Sequence, residues 1–443
     1  MKKDLSYAFK CILFMQIVLP VHLLAATTST NLSDYVKVVE SSSPQLQKAQ
    51  AYLEEQKSKK TEARSAFMPQ LTGSAMYLTN KKYALVDMNL GAGTSTVPQI
   101  VPTTQYGLSA KWNLFDGFAS TYRYLSADEN MQSANYEYLW SQFQTQRAAV
   151  ATYYKALAAK LLKQVAEQNV KSLEDHQKDV ESLKKAGVAT EYELLRTQVM
   201  ASDAHSELIN AEDMVVVSNQ KLNELVSSDA AQFEVTGDLP SIDESMLAKF
   251  NATKPSEKAD LLALQKRVEA LDDLQKSARQ HWLPKLTAFA DYNYYNNRND
   301  KYNDFDNFRE SYLIGLNLTW NLFEGFSSYS KNEQAYYQKA QLEKQYVITQ
   351  KKSQNEIDQW KRKFLYFCSV YKAKNIDIKR SNEALRLAKL GRKAGTRTNT
   401  EILDAQADLY RSKAALINAQ VGAIEALVSL ELSSGQEIYS FIQ

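Results

Sequence analysis

Two periodicities take turns along the chain. Over Tyr106 to Phe115, Tyr106, Leu108, Ala110, Trp112 and Leu114 point one way, and Gly107, Ser109, Lys111 and Asn113 the other. Over Lys285 to Tyr295, Leu286, Ala288, Ala290, Tyr292 and Tyr294 oppose Thr287, Phe289, Asp291 and Asn293. Over Tyr312 to Phe323, Tyr312, Ile314, Leu316, Leu318, Trp320 and Leu322 oppose Leu313, Gly315, Asn317, Thr319 and Asn321. Alternation of this kind predicts strands, and Gln70 to Thr79 reads as another. The loops Lys81 to Gln105 and Asn296 to Arg309 join the strands in pairs. Helices are predicted over Asn31 to Ala66, with Pro44 acceptable near a helix start, and over Ala259 to Gln280. Pro69 and Pro284 stop them.

The remaining pattern is helical and unusually long. Ser120 to Lys185 and Ser328 to Lys393 would each extend about 100 Å at roughly 1.5 Å per residue. Return helices follow over Thr190 to Val226 and Thr398 to Leu432. Their apolar positions step by sevens: Leu194, Ala201, Leu208, Val215 and Leu222 in the first, Ile402, Leu409, Leu416, Ala423 and Leu430 in the second. Small residues follow three positions later, at Thr197, Ala204, Ala211 and Ser218 and at Ala405, Ser412, Ala419 and Ala426. Such spacing predicts close, coiled-coil-like helix pairs. Ile357, Phe364, Tyr371, Ile378 and Leu385 form a further core row on the second long helix. Gly187 and Gly395 suit the left-handed residue that ends a helix, and Thr190 and Thr398 suit helix caps.

The chain therefore repeats itself. Trp112-Asn113-Leu114-Phe115-Asp116-Gly117-Phe118 returns as Trp320-Asn321-Leu322-Phe323-Glu324-Gly325-Phe326, 208 positions on, and Ala186-Gly187 returns as Ala394-Gly395 at the same shift. Each copy is a strand-strand-helix-helix unit, residues 27–236 and 237–443. Composition supports the long elements, with only 13 glycines and 8 prolines in 443 residues, and no proline between Pro102 and Pro240 or after Pro284.

Residues 1–26 read as an export signal: Lys2, Lys3 and Lys10 open it, Cys11 to Leu24 is apolar, and Ala25-Ala26 offers small residues for cleavage. That run is too short to span a membrane, and no later run is expected to. Once the leader is removed, basic and acidic residues balance, which gives no support for a nucleic-acid partner. Cys368 would be the one remaining cysteine, expected as a buried small side chain. His176, His205 and His281 have no paired spacing for a metal site or catalytic triad. Gly91-Ala92-Gly93 lacks the lysine and helix start of a phosphate cradle. No enzyme activity, cofactor or metal is expected.

The strands favour lipid. Each is about 10 residues long, the length a tilted strand needs to cross the apolar layer, and tyrosine and tryptophan cluster near their ends as interfacial girdles do. Four strands cannot close a cylinder, and an open edge in lipid leaves backbone groups unpaired. Several identical chains must then share one barrel.

These residues resemble the TolC family of outer-membrane channel-tunnel proteins, also called outer membrane efflux proteins, over essentially the whole mature chain. The most specific pieces are Ala394-Gly395-Thr396-Arg397-Thr398, then Glu401-Ile402-Leu403-Asp404-Ala405 and Leu409-Tyr410, with the Trp-Asn-Leu-Phe-(Asp/Glu)-Gly-Phe pair almost as telling. The resemblance implies a mainly α protein with membrane β-strands, a homotrimer whose 12-stranded β-barrel in outer-membrane lipid continues as a 12-helix α-barrel across the periplasm. It implies docking of a periplasmic adaptor and an inner-membrane translocase of the RND or ABC class, for drug efflux or type I protein secretion. By position, Arg397 corresponds to the family's tip arginine and Glu193 to its acidic partner on the other hairpin. Arg392 stands where a tyrosine usually joins that gate. Glu401 and Asp404 correspond to acidic rings at the constriction, which would favour cations. Gly187, Val188, Gly395 and Thr396 fall at the hairpin tips, where the adaptor docks. Without the resemblance, Glu401 and Asp404 are ordinary first-turn acids and Arg397 an exposed tip charge. The alternative architecture is an exported trimeric coiled-coil stalk or adhesin without a conduit, which would not need a duplicated strand pair.

Overall fold

The computed structural model of the chain describes residues 28–79, 85–89, 91, 93–98, 102–226, 233–250, 258–296, 298, 302–303 and 305–441. The export signal lies outside the described residues, as do parts of both strand-connecting loops. In chain order the elements are β1 (Thr28–Thr30), α1 (Leu32–Ser42), α2 (Pro44–Ser65), β2 (Gln70–Tyr77), β3 (Leu85–Asn89), β4 (Thr94–Pro98), β5 (Thr104–Phe115), α3 (Ala119–Lys185) and α4 (Glu191–Glu224). The second half gives β6 (Phe233–Val235), α5 (Ala259–Arg279), β7 (Lys285–Asn296), β8 (Arg309–Thr319), α6 (Ser327–Lys393) and α7 (Asn399–Ser434). α3 and α6 are each 67 residues long and begin and end 208 positions apart.

Several elements differ from the sequence expectation. The first helix is broken at Ser43, whose backbone is extended (φ −65°, ψ 123°). Pro44 disfavours a helical residue before it, so it starts a new helix instead of sitting inside one. The long loop carries a hairpin of its own, β3 against β4. β8 ends at Thr319, not Phe323. Its partner β7 begins at Lys285, paired with Thr319, and Pro284 before it has no N–H to extend the ladder. Finally, α7 contains a window of mean hydropathy 1.4, apolar enough to cross a membrane by composition alone. Half of that window is buried against the rest of the chain, as befits a packed return helix.

The principal sheet is antiparallel, in the order β2-β5-β7-β8. Residues directly opposite one another share a face, so the register sorts the side chains. Tyr106 pairs with Tyr294, Leu108 with Tyr292 and Ala110 with Ala290. Ala290 pairs in turn with Ile314, and Ala288 with Leu316. One face is therefore mainly apolar and aromatic across the strands, with Glu310 opposite Tyr294 at its end. The other holds Gln105, Ser109, Asn113, Thr287, Asp291 and Asn293, linked sideways by Gln105 Nε2 to Asn293 Oδ1 (2.8 Å) and Ser109 Oγ to Asp291 Oδ1 (2.5 Å). Phe289 lies over Gly315 on this polar face, where a Cβ would come within 2.9 Å of the ring. On the apolar face Phe308 stacks on Tyr106 and Tyr294, with ring centroids 5.8 and 4.8 Å apart. Two tryptophans hold the sheet to the helices below: Trp112 Nε1 donates to Phe67 O and Trp320 Nε1 to Trp282 O, both at 2.9 Å.

The strands turn into the long helices through Gly117-Phe118 and Gly325-Phe326, all four at positive φ between 60° and 72°. From there α3 pairs with α4 and α6 with α7. The predicted rows are where the helices meet: Leu194, Thr197, Ala201, Ala204, Ala211, Ser218 and Leu222 are buried on α4, and Ile402, Ser412, Ala419, Ala423, Ala426 and Leu430 on α7. The largest core lies where the chain start meets the far ends of the return helices. There β1 pairs with β6 in parallel, and Tyr35, Tyr153, Leu222, Phe364, Cys368, Leu427 and Leu430 are buried together. Burial pushes the Cys368 thiol up to about 11.

Candidate functional site

The candidate site is the end of the two helical hairpins farthest from the sheet. Each hairpin turns on a left-handed glycine, Gly187 (φ 79°) and Gly395 (φ 76°). Gly187 N donates to Lys184 O and Val188 N to Leu183 O, at 2.9 and 2.8 Å. In the second hairpin Gly395 N donates to Arg392 O (3.0 Å) and Thr396 N to Gly391 O (2.8 Å). These bonds satisfy the last carbonyls of the long helices. Val188 is 67 % exposed, large for an apolar side chain with nothing to cover it.

Both return helices start with a full capping box. The Thr190 hydroxyl accepts from Glu193 N, while Glu193 accepts from Thr190 N at 3.0 Å. Thr398 and Glu401 repeat this, with Thr398 N to Glu401 Oε2 at 2.7 Å. Glu193 and Glu401 are thus matched acids at matched positions, each also holding an arginine. Glu401 Oε1 takes Arg397 Nη1 at 2.6 Å, from the turn just before the same helix. Glu193 Oε1 lies 3.0 Å from Arg392 Nη2, which comes from the other hairpin. Within the chain, then, Glu193 is paired with Arg392 and Arg397 with Glu401. The cross-hairpin ion pair runs through Arg392 and not through Arg397. Glu401 is held below the ordinary carboxylate range, first by the Thr398 backbone N–H and then by Arg397.

Glu401 and Asp404 line a groove of about 510 Å³ together with Arg397, Arg380 and Asp408. Asp404 is exposed, and Asp408 pairs with Arg411 at 3.0 Å. Asp408, one turn beyond Asp404, extends the acidic stripe in a way that motif matching alone did not indicate.

The sequence of residues 36–228 and 256–436 matches the profile of the family described as "Outer membrane efflux protein". The chain belongs to that family. A relative within reach by sequence is the outer membrane protein TolC of Vibrio cholerae serotype O1, 21 % identical over 431 residues, spanning 93 % of this chain and 92 % of that one. Among solved structures, VceC of Vibrio cholerae superposes with a TM-score of 0.74 at 17 % identity, over 91 % of this chain and 96 % of that one. The Campylobacter jejuni CmeC outer membrane channel gives a TM-score of 0.74 at 16 % identity, over 91 % and 85 % of the two chains. At such identities the structural likeness speaks for the fold alone.

In this member of the outer membrane efflux protein family, sequence reasoning missed one group near the tip. Asn399, the first residue of α7, is 1 % exposed. Its side chain reaches His176 on α3 and Thr197 on α4. Asn at a helix start normally signals a cap, so its pattern gave no hint of a buried, long-range role. Burial holds His176 below the ordinary imidazole value, against the opposing effect of its bond to Asn399.

Proposed function

We propose that this outer membrane efflux protein is a passive, gated exit duct in the outer membrane. Three chains share one wall. Each gives its four strands to a 12-stranded barrel and its two helical hairpins to a 12-helix α-barrel that crosses the periplasm. The observation that carries this reading is the sheet: one face is mainly apolar, the other mainly polar with Phe289 and Leu313 as exceptions, and β2 and β8 end it without a further partner strand among the described residues. Open edges are not tolerated in lipid. They are satisfied when β8 of one chain pairs with β2 of the next. The apolar face then meets lipid, and the polar face, with Ser109, Asp291 and Asn293, lines water. The two halves, 27–236 and 237–443, are structural repeats.

The hairpin tips form the periplasmic gate and docking end. Arg392, Glu193 and Arg397 hold it closed. Glu401 and Asp404 ring the constriction and select cations. Gly187, Val188, Gly395 and Thr396 meet a periplasmic adaptor, which couples the duct to an inner-membrane RND or ABC translocase. Energy for export comes from that translocase.

Native mass measurement in detergent together with planar-bilayer recording tests the reading. Three copies per particle and a small, cation-preferring conductance are expected. A well-folded single subunit resident in the bilayer would overturn it.

A further inference from the structure

Near the tips the two hairpins of one chain are joined by a buried amide. Asn399 Oδ1 lies 2.6 Å from His176 Nε2. Its Nδ2 donates to Thr197 Oγ1 at 3.0 Å and to Glu193 O at 3.4 Å. Thr197 is 0 % exposed, and its hydroxyl donates to Glu193 O at 2.8 Å. One side chain of the second hairpin is thus bonded to both helices of the first. Because Asn399 Oδ1 can only accept, His176 donates from Nε2, which fixes the ring's role.

The same face of α7 continues with Leu403, one turn on, which packs among Val170 and Leu173 of α3 and Ala201 and Ala204 of α4. Two positions therefore plug the start of α7 into the groove between α3 and α4. The opposite flank of α7 meets α6 through Ile402, Ala405 and Leu409, which pack with Leu385 and Ala388. Within the second hairpin the contacts here are apolar and non-directional. Between hairpins the apolar contact of Leu403 is joined by an equally buried hydrogen-bonded amide, whose partners lose specific, aligned bonds when the hairpins part. Buried polar groups of this kind favour one geometry sharply over its neighbours.

We propose that Asn399 is a positioning residue that fixes α7 against α3 and α4 and thereby sets the closed position of the tips, independently of the Arg392–Glu193 ion pair nearer the surface. Its effect on conduction rests on the exit-duct reading; its effect on how the hairpins are held does not.

The test uses the full-length protein in detergent and in planar bilayers, comparing wild type with Asn399→Leu and Asn399→Asp. Hydrogen exchange of the α7 start reads the junction directly. Both variants should exchange at least tenfold faster there, since Leu keeps none of the bonds and Asp keeps only the acceptor. Open-channel conductance should rise in both. A control, Leu222→Ala, empties part of the core at the far end of the hairpin. It should lower thermal stability without moving either readout, which separates positioning from general loosening. Unchanged exchange at the α7 start in both Asn399 variants overturns the proposal. Faster exchange in a protein that forms no channel at all would uphold the junction while removing the duct.

Discussion

Arg392 Nη2 sits 3.0 Å from Glu193 Oε1, and the contact crosses from one helical hairpin to the other. Both side chains are more than three-quarters covered, yet Arg392 Nη2 has no aligned hydrogen-bond acceptor. The contact is therefore one of charge more than of direction. A largely covered but still solvent-touching pair of this kind stabilises by about 1 kcal/mol. Arg392→Ala and Glu193→Gln should each raise conductance several-fold. A double-mutant cycle should show that the two effects are not additive, and additive effects would mean that the residues act separately.

Arg397 holds Glu401 in an exposed i, i+4 pair. Arg397→Ser removes a cation beside the proposed acidic ring, so it should enlarge conductance and strengthen cation preference together. Replacing Glu401 and Asp404 by Ala should weaken cation preference and block by multivalent cations. Reversal-potential measurements in asymmetric salt check both. Unchanged selectivity in the double variant would place those carboxylates away from the constriction.

The pH dependence of selectivity has a definite sign. Thr398 N–H and Arg397 depress Glu401 below its ordinary value of 4.5, so the fold favours the charged form. Its cap and its ring charge are complete above about pH 4.5 and are lost only as pH falls through the lower folded-state value. Cation preference should therefore persist below pH 4.5. In Arg397→Ser it should fade at a higher pH than in wild type.

The opposite sign holds at the far end of α7. Glu431 is fully buried. It accepts from Ile438 N and Tyr439 N at 2.7 and 2.8 Å, and Oε2 faces Arg147 at 3.2 Å without an aligned hydrogen bond. Burial pushes it up to about 7, against the pull of Arg147. The fold thus favours the neutral acid. Its contribution is complete below about pH 4.5 and declines as pH rises towards 7, by on the order of 3 kcal/mol. Glu431→Gln should flatten unfolding stability over that window and equal or exceed wild type at pH 7, as thermal unfolding across pH would show.

The tryptophans offer a simpler measurement. Trp112→Phe keeps an aromatic ring but loses the indole N–H and its bond to Phe67 O, which should cost about 1 kcal/mol. Trp320→Phe should do the same through Trp282 O. Thermal unfolding in detergent gives both values.

Much of this fold was legible because its elements are long and strictly periodic. Strands, long helices, tip glycines and capping threonines lie within a few residues of where alternation, heptad rows and turn chemistry put them. What escaped was set by partners far away in sequence. β8 stops where Pro284 leaves it without a partner, and the parallel pairing of β1 with β6 joins segments about 200 residues apart. At the tip, the motif drew attention to Glu193, Arg392 and Arg397 but not to how they pair. Glu193 meets Arg392, and Asn399 is buried rather than merely capping, because the relative placement of two hairpins decides both.

In the proposed duct, the flanks of the sheet at β2 and β8, which have no further partner strand among the described residues, make the solitary subunit the hazardous species. Until a neighbour covers β2 and β8, each can template on any passing strand, and the greasy face has no water-compatible partner. On the exit-duct reading, insertion and ring closure then occur together, or under escort by a chaperone. It also makes damage contagious: a copy spoiled at one flank, for instance by Leu313→Pro, would poison every mixed ring it joined, so such alleles should behave as dominant over the intact gene.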